Sequence, residues 1–407
     1  MARLKFGAFL APHHPVGEHP MLQFRRDIEF AAHLDRLGFD EFWCGEHHSS
    51  GWEMIASPEM MLAAVAEHTS RIRLGTGVIS LPYHHPFNVA QRIVQLDHMS
   101  AGRVIFGSGP GALPSDAHTL GLDPMTQRDR QDEALGVITR LLAGEARFSH
   151  ESDWFTLRDA RLQLLPLQES VPQAVASMVS PSGMTLAGKH GIGVLSIGSM
   201  AGEGLVALPT QWGFAEAAAA QHGHHMDRSS WRVLMSWHLA ESEAQARAEA
   251  RMGLQRWHNE YVVDTLCRPG AVRYDDADEA LDAVCAGTIT SATTQAAVVG
   301  TPDDLVSFIR TMQRNTGGFG VVIGFAHDWA GREATLRSWE LVARYVVPEL
   351  NGYIASLRDN MDFVRANRAP FERARAAVLS KIAADPAAAA ALARTEQGAT
   401  NHPATTD

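Results

Sequence analysis

Three adjacent histidine pairs, His13–His14, His47–His48 and His84–His85, each follow a short apolar run of the chain. Imidazole exchanges protons near neutral pH and ligates transition metals. The pairs therefore suit acid–base chemistry, a metal site or loop hydrogen bonding. Metal-dependent hydrolases built on barrels favour two histidines one residue apart, because residues i and i+2 of a strand face the same side. Adjacent histidines face opposite sides, so each pair readily offers one ligand at most, and carboxylates such as Asp97 lie in helical context. No metal site is expected. A second cluster, Ser180-Pro181-Ser182-Gly183, precedes a helical stretch reaching about His190. Free N–H groups at a helix start, with two hydroxyls, make an anion site. The same residues also read as a plain cap, with Ser182 capping. Gly107-Ser108-Gly109-Pro110-Gly111 would let backbone approach a flat ligand, although its spacing is not that of a dinucleotide fingerprint. Gly75 and Gly77 lie within an apolar run, where glycine marks a bulge or a close ligand contact.

Something must hold these segments together, and the chain around them alternates short β-like runs with amphipathic helical stretches. Leu4–Leu10, Glu41–Gly45, Ile72–Leu81 and Arg103–Gly107 read as strands. Between them, Met21–Leu37 is helical and stops at Gly38, Ser57-Pro58 opens a helix through His68, and Phe87–Met99 is helical. A helix over Arg128–Leu142 follows the fourth strand. Gln173–Met178, Gly193–Ile197, Trp231–Leu239 and Gly320–Gly324 continue the strands, with helices from about Ser182, Glu241 and Glu333. About eight βα units with right-handed crossovers predict an α/β fold, a (β/α)8 TIM barrel, rather than an open doubly wound sheet. Chemistry in such a barrel gathers at the C-terminal ends of the strands, which is where the histidine pairs, the glycine cluster and the Ser180 segment fall. The barrel is expected over residues 1–350. An insertion over about 257–295 is a candidate lid. A helical C-terminal extension over 351–393 and a disordered tail over 394–407 complete the organisation.

Composition narrows the function classes. A net charge of -11 without runs of like charge leaves no basic stripe for nucleic acid. Cys44, Cys267 and Cys285 are an odd number without metal-like spacing, which predicts free thiols and a reducing, cytoplasmic setting. Met1–Leu10 is too short for a secretory apolar region, and no apolar run reaches membrane-spanning length.

Several of these stretches together resemble the bacterial-luciferase-like flavin monooxygenases. The matching residues are Gly38-Phe39-Asp40 to Glu46-His47-His48, Arg73-Leu74-Gly75-Thr76-Gly77-Val78 through Leu81-Pro82 and His85-Pro86, Leu96-Asp97-His98-Met99-Ser100, Gly102-Arg103 to Gly107, and Gly300-Thr301-Pro302. Trp52-Glu53, Leu81-Pro82-Tyr83-His84 and Gly109-Pro110-Gly111 look closest to the branch of limonene and diketocamphane monooxygenases.

The resemblance implies a TIM barrel and reduced FMN delivered by a separate flavin reductase. It also implies a flavin C4a-peroxide that oxygenates a small apolar or carbonyl substrate, and a homodimer or higher homo-oligomer. It makes His47 the catalytic histidine and Gly77–Val78 a cis peptide under the flavin ring. Gly109, Ser180, Ser182, Gly183 and Met184 become cofactor-binding residues, with Ser180 at the phosphate. Trp52, Tyr83, His85 and Trp237 are candidate substrate-side residues, with core packing as the competing reading of Trp237. Gly109 and Pro110 stand where luciferases carry a reactive cysteine and a phosphate-binding arginine, so no light emission is expected and part of the phosphate grip is missing. A deazaflavin-dependent oxidoreductase on the same fold, a metal-dependent TIM-barrel hydrolase and a non-catalytic flavin-binding protein are the alternatives.

Overall fold

Alternation between lumen and helix layer organises the molecule. The computed structural model describes residues 3–11, 13–197, 202–268, 270–286 and 297–399. Its barrel strands are β1 (Lys5–Leu10), β2 (Glu41–Cys44), β3 (Arg73–Thr76), β4 (Val104–Gly109), β5 (Gln173–Ser177), β6 (Gly193–Ser196), β7 (Trp231–Leu239) and β8 (Val321–Phe325). Each pairs in parallel with the next. Lys5–Phe9 of β1 then pairs with Val321–Phe325 of β8, which closes the expected (β/α)8 barrel.

Successive side chains point alternately inward and outward. Phe9, Trp43, Ile105, Leu195, Leu234 and Ile323 fill the lumen. Phe6, Phe42, Leu74, Phe106 and Val233 pack outward against the helices. Full burial of side chains this size stabilises by about 1.5–3 kcal/mol each. Toward the N-terminal ends of the strands, the Arg232 guanidinium donates to both oxygens of Glu41, at 2.7 and 3.0 Å, and the Trp43 indole donates to the same carboxylate at 2.8 Å. Glu41 and Arg232 are both buried. The glycines of β3 and β4 serve this interior. A Cβ on Gly75 would overlap the Trp43 ring, and one on Gly107 would approach it to 2.8 Å. Room for Trp43 is what Gly75 requires, and at Gly107 the Thr76 carbonyl oxygen stands closer still to such a Cβ.

The outer helices start and stop where local chemistry dictates. Pro20–Leu37 opens on proline, the His19 ring accepts the Met21 N–H, and Gly38 ends the helix at φ 85. Three features differ from expectation. The run Ile72–Leu81 breaks after Thr76, resumes as Ile79–Ser80 and turns into a 3-10 helix, Leu81–Tyr83. A hairpin, Phe148–Glu151 with Thr156–Ala160, and a helix, Gly202–His222, add to the βα repeat. The helix Glu243–Arg256 continues as a π-helix, Trp257–Thr265, so the insertion begins as ordered helix. A second helix follows at Ala277–Ala286, and Ala297–Gly300 pairs with the end of β7. Residues 269 and 287–296 of the insertion lie outside the described residues.

The chain divides into two compact units after Asn351. The second unit consists of helices Ala355–Ala366, Arg368–Ala383 and Pro386–Ala399. Residues 394–399, expected as tail, are therefore helical, and 400–407 lie outside the described residues. Among the described residues no helix is long and apolar enough to cross a membrane.

Candidate active site

His47 stands at the end of β2 between two carboxyl groups. Its Nδ1 lies 3.1 Å from Asp116 Oδ2, and its Nε2 lies 3.4 Å from Glu53 Oε1. Asp116 is placed by the short helix Pro114–Thr119 after β4. The carboxylate also accepts the His48 N–H at 3.0 Å and the Ser49 hydroxyl at 2.5 Å. Those bonds, with the one to His47, outweigh burial and hold Asp116 below the usual carboxylate range. Burial would lower the His47 pKa, but Glu53 and Asp116 overcome it and raise the imidazole above its ordinary value. Glu53 is buried, which raises its pKa despite His47 and the Tyr261 hydroxyl directed at it. The result is a proton-rich triad. The 3.4 Å separation on the Nε2 side is longer than an ordinary N–H···O bond, which leaves that proton available to an incoming acceptor.

Of the other paired histidines, His14, His48, His84 and His85 are committed elsewhere. Glu46 Oε1 faces His48 Nε2 at 2.9 Å and His84 Nε2 at 2.6 Å, while Glu46 Oε2 accepts the Ser80 N–H at 2.7 Å. His14 Nε2 pairs with Asp27 at 2.7 Å. The His85 ring accepts the Phe87 N–H and caps the start of Pro86–Met99, so this substrate-side candidate is occupied with opening a helix. Among the described residues no three His, Cys, Asp or Glu side chains gather as a metal set.

A candidate anion cradle forms at the neighbouring ends of β4 and β5. Arg128, at the start of Gln127–Leu142, donates to Ser180 Oγ at 3.3 Å and to Ser182 Oγ. The two hydroxyls lie 2.9 Å apart. Pro181, not Ser182, is the cap of Ser182–His190, and it makes no side-chain cap bond. The first intrahelical donor is Thr185, to Pro181 C=O. The N–H groups of Ser182, Gly183 and Met184 are thus those a helix start leaves open. Met184 can take part through its backbone alone, because its side chain lies in the core. Gly183 has a packing reason as well: a Cβ there would overlap the Ala176 carbonyl of β5. Arg128 forms no ion pair among the described residues, so its charge is available to a ligand. The sequence signal for Arg128 was absent, since it resembles any arginine on a helix. The structure thus supplies a basic group to a cradle that lacked one at Pro110.

Between cradle and triad lies the Gly77–Val78 peptide, which is cis. Gly109 sits beneath it, since a Cβ there would come within 2.5 Å of Val78 Cγ2. Tyr83 packs edge-on against His48, with ring centroids 5.7 Å apart, and its hydroxyl accepts from Gln127 at 3.2 Å. Trp237 does not belong here. It alternates with inward-facing Leu234, Ser236 and His238, and it packs on Trp339 in the helix layer at 5.0 Å. Of the substrate-side candidates, Trp52 is buried beside Tyr261, with centroids 5.8 Å apart. Residues that sequence reasoning missed are Asp116, Glu53, Tyr261 and His327. His327 was accessible to reasoning, because it continues the inward parity of Val321, Ile323 and Phe325.

A closed parallel barrel that gathers an arginine, two serines, a glycine-rich backbone and a histidine held between two carboxyl groups at the C-terminal ends of its strands defines a TIM-barrel enzyme. The chain belongs to the luciferase-like monooxygenase family, whose profile matches residues 4–318. It is 47% identical to a 4-hydroxyprotoasukamycin monooxygenase of Streptomyces nodosus subsp. asukaensis, over 92% of this chain and 100% of that one. It is 44% identical to a limonene 1,2-monooxygenase of Rhodococcus erythropolis, over 92% of this chain and 94% of that one. Among solved structures, the oxygenating constituent of the 3,6-diketocamphane monooxygenase of Pseudomonas putida, in complex with FMN, superposes with a TM-score of 0.71. That match is at 25% identity, over 85% of this chain and 98% of that one.

Proposed function

We propose that this chain is the oxygenase component of a two-component FMN-dependent monooxygenase. It takes reduced FMN from a separate reductase and transfers one atom of dioxygen to a small apolar or carbonyl compound. The other atom leaves as water, with reduced FMN as the source of both electrons. The observation that carries the reading is the Arg128–Ser180–Ser182 cradle. A guanidinium without an ion-pair partner among the described residues, two hydroxyls and open helix N–H groups fit a phosphate dianion. Arg128, Ser180 and the amides of Ser182, Gly183 and Met184 would hold the phosphate, and Gly77–Val78 would support the ring. Bound there, reduced flavin supplies the activation of dioxygen. His47 holds a proton at Nε2 for the developing oxygen anion, Asp116 keeps it charged, and the buried aromatic wall excludes water. Membership of the family supports the separate reductase, an assembly of two or more copies and work in the cytoplasm.

The test is anaerobic titration with reduced FMN, followed by oxygen uptake in the presence of substrate. Arg128→Ala and Ser180→Ala are expected to weaken FMN binding at least tenfold. Turnover with a reduced deazaflavin and no oxygen uptake would replace the monooxygenase reading by hydride transfer.

A further inference from the structure

Beyond Asn351 the chain forms helices without a core. From Gly352 to Ala391 not one residue is buried. The helices Ala355–Ala366 and Arg368–Ala383 start without a side-chain cap bond. They have 12 and 16 residues, a length that is marginal alone in water, and helices in proteins persist mainly by packing an apolar face. These two have such a face, and it is open. Leu357, Met361 and Val364 follow one another at gaps of four and three, and all three are exposed. Phe371, Val378 and Ile382 continue the stripe at gaps of seven and four. Leu357 is 67% exposed and Val378 57%.

Nine large apolar side chains between Gly352 and Ala383 stand about half exposed. At roughly 100 Å² each, about half of what an aromatic side chain can bury, they offer about 900 Å². A typical monomer's largest apolar patch is about 300–600 Å², and each member of a stable pair buries about 800 Å². The spacing says what kind of surface fits. Gaps of three and four make the seam by which one helix sets its knobs into the holes of another. Arg375 takes the seam position between Phe371 and Val378, and a single polar residue in a seam fixes register between paired helices. A lipid surface favours lysine and arginine on the polar flank. Here the flank carries both signs, with Asp362 3.5 Å from Arg365 and Glu372 2.7 Å from Arg368. A second copy of this chain brings the same seam and the same mixed flank, and two-fold pairing of identical patches is the commonest form of assembly.

We propose that this stripe is an interface between two copies of this chain. The helices Ala355–Ala366 and Arg368–Ala383 of one copy pack on the same helices of the other about a two-fold axis. The pairing supplies the core that the helices lack within a single chain. The assignment concerns assembly and does not depend on the flavin reading.

The test is sedimentation velocity of the full chain at about 1–50 µM, where a two-copy species is expected. Leu357→Glu combined with Val364→Glu puts two unpaired charges into the seam of each copy, which should weaken the pairing at least about a hundredfold. Both positions are exposed in the single chain, so the melting transition of the barrel should remain cooperative. Amide hydrogen exchange over residues 355–383 should be slow in the unsubstituted pair and fast in the double variant. A pair that survives both glutamates, or one in which these amides exchange freely, would assign the assembly to another face and overturn the proposal. A full chain that stays single overturns it as well. Binding of that single chain to phosphatidylserine–phosphatidylcholine vesicles, lost in the double variant, would give the stripe to a lipid surface instead.

Discussion

At the scale of single residues, the proposed chemistry depends on how one imidazole is buffered. Burial works against a charged His47, and Glu53 and Asp116 outweigh it. The protonated form therefore persists above its ordinary pKa and is lost as pH rises through the raised value. Asp116→Asn removes one of the two supports, so the alkaline limb of kcat/KM is expected to move to lower pH. His47→Ala should lower kcat by about 10²–10⁴, the usual worth of a positioned proton donor, with FMN affinity retained. A pH–rate profile of both variants checks the pair of expectations, and an unmoved alkaline limb in Asp116→Asn would assign that limb to another group. His47 was legible from the sequence because Glu46-His47-His48 follows a strand and fits the family pattern. Asp116 and Glu53 were not, because a carboxylate gains this role from a neighbour 69 positions along the chain or from a loop that folds back.

At the scale of elements, one glycine decides how closely a helix approaches the sheet. Gly183 lets the start of Ser182–His190 lie against β5, where a Cβ would overlap the Ala176 carbonyl. Gly183→Ala is expected to push the helix start away, and with it the two serines and the open amides. Flavin fluorescence titration should show FMN affinity falling at least tenfold, while the melting temperature changes by a few degrees. The βα order, the proline starts and glycine ends of the helices, and the serine cluster that opens Ser182–His190 could all be read in advance, because each is a local property of a few residues. Arg128 could not, since it meets Ser180, 52 positions along the chain, only once β4 and β5 pair. Strand parity could have excluded Trp237 beforehand. With Leu234 and Ser236 inward, a tryptophan at position 237 must face the helices.

At the scale of the whole molecule, stability rests on buried groups whose charge states are fixed by the fold. Arg232→Met would leave Glu41 charged in the lumen with only the Trp43 indole bonded to it among the described residues, a loss of about 3–5 kcal/mol. Urea unfolding is the measurement, and Glu41→Gln added to Arg232→Met should recover part of the loss. His13 supplies a second, pH-dependent contribution. Its folded pKa of about 3 lies below the unfolded 6.5, so between those values the unfolded chain binds a proton that the folded chain refuses. Stability should fall as pH falls through that window, by up to about 1.4 kcal/mol per pH unit from this residue. His13→Phe, which cannot titrate, should show a flatter dependence of the urea midpoint on pH.

Trp43 and the Glu41–Arg232 pair make the barrel a cup with a solid base. Among the described residues these side chains close the barrel's centre, so on the proposed reading FMN, substrate and product all come and go over the same lip. Each catalytic cycle is then a matter of queueing. Product left in the cup stands in the way of the next substrate, and slow product departure would cap turnover however fast the oxygen chemistry runs.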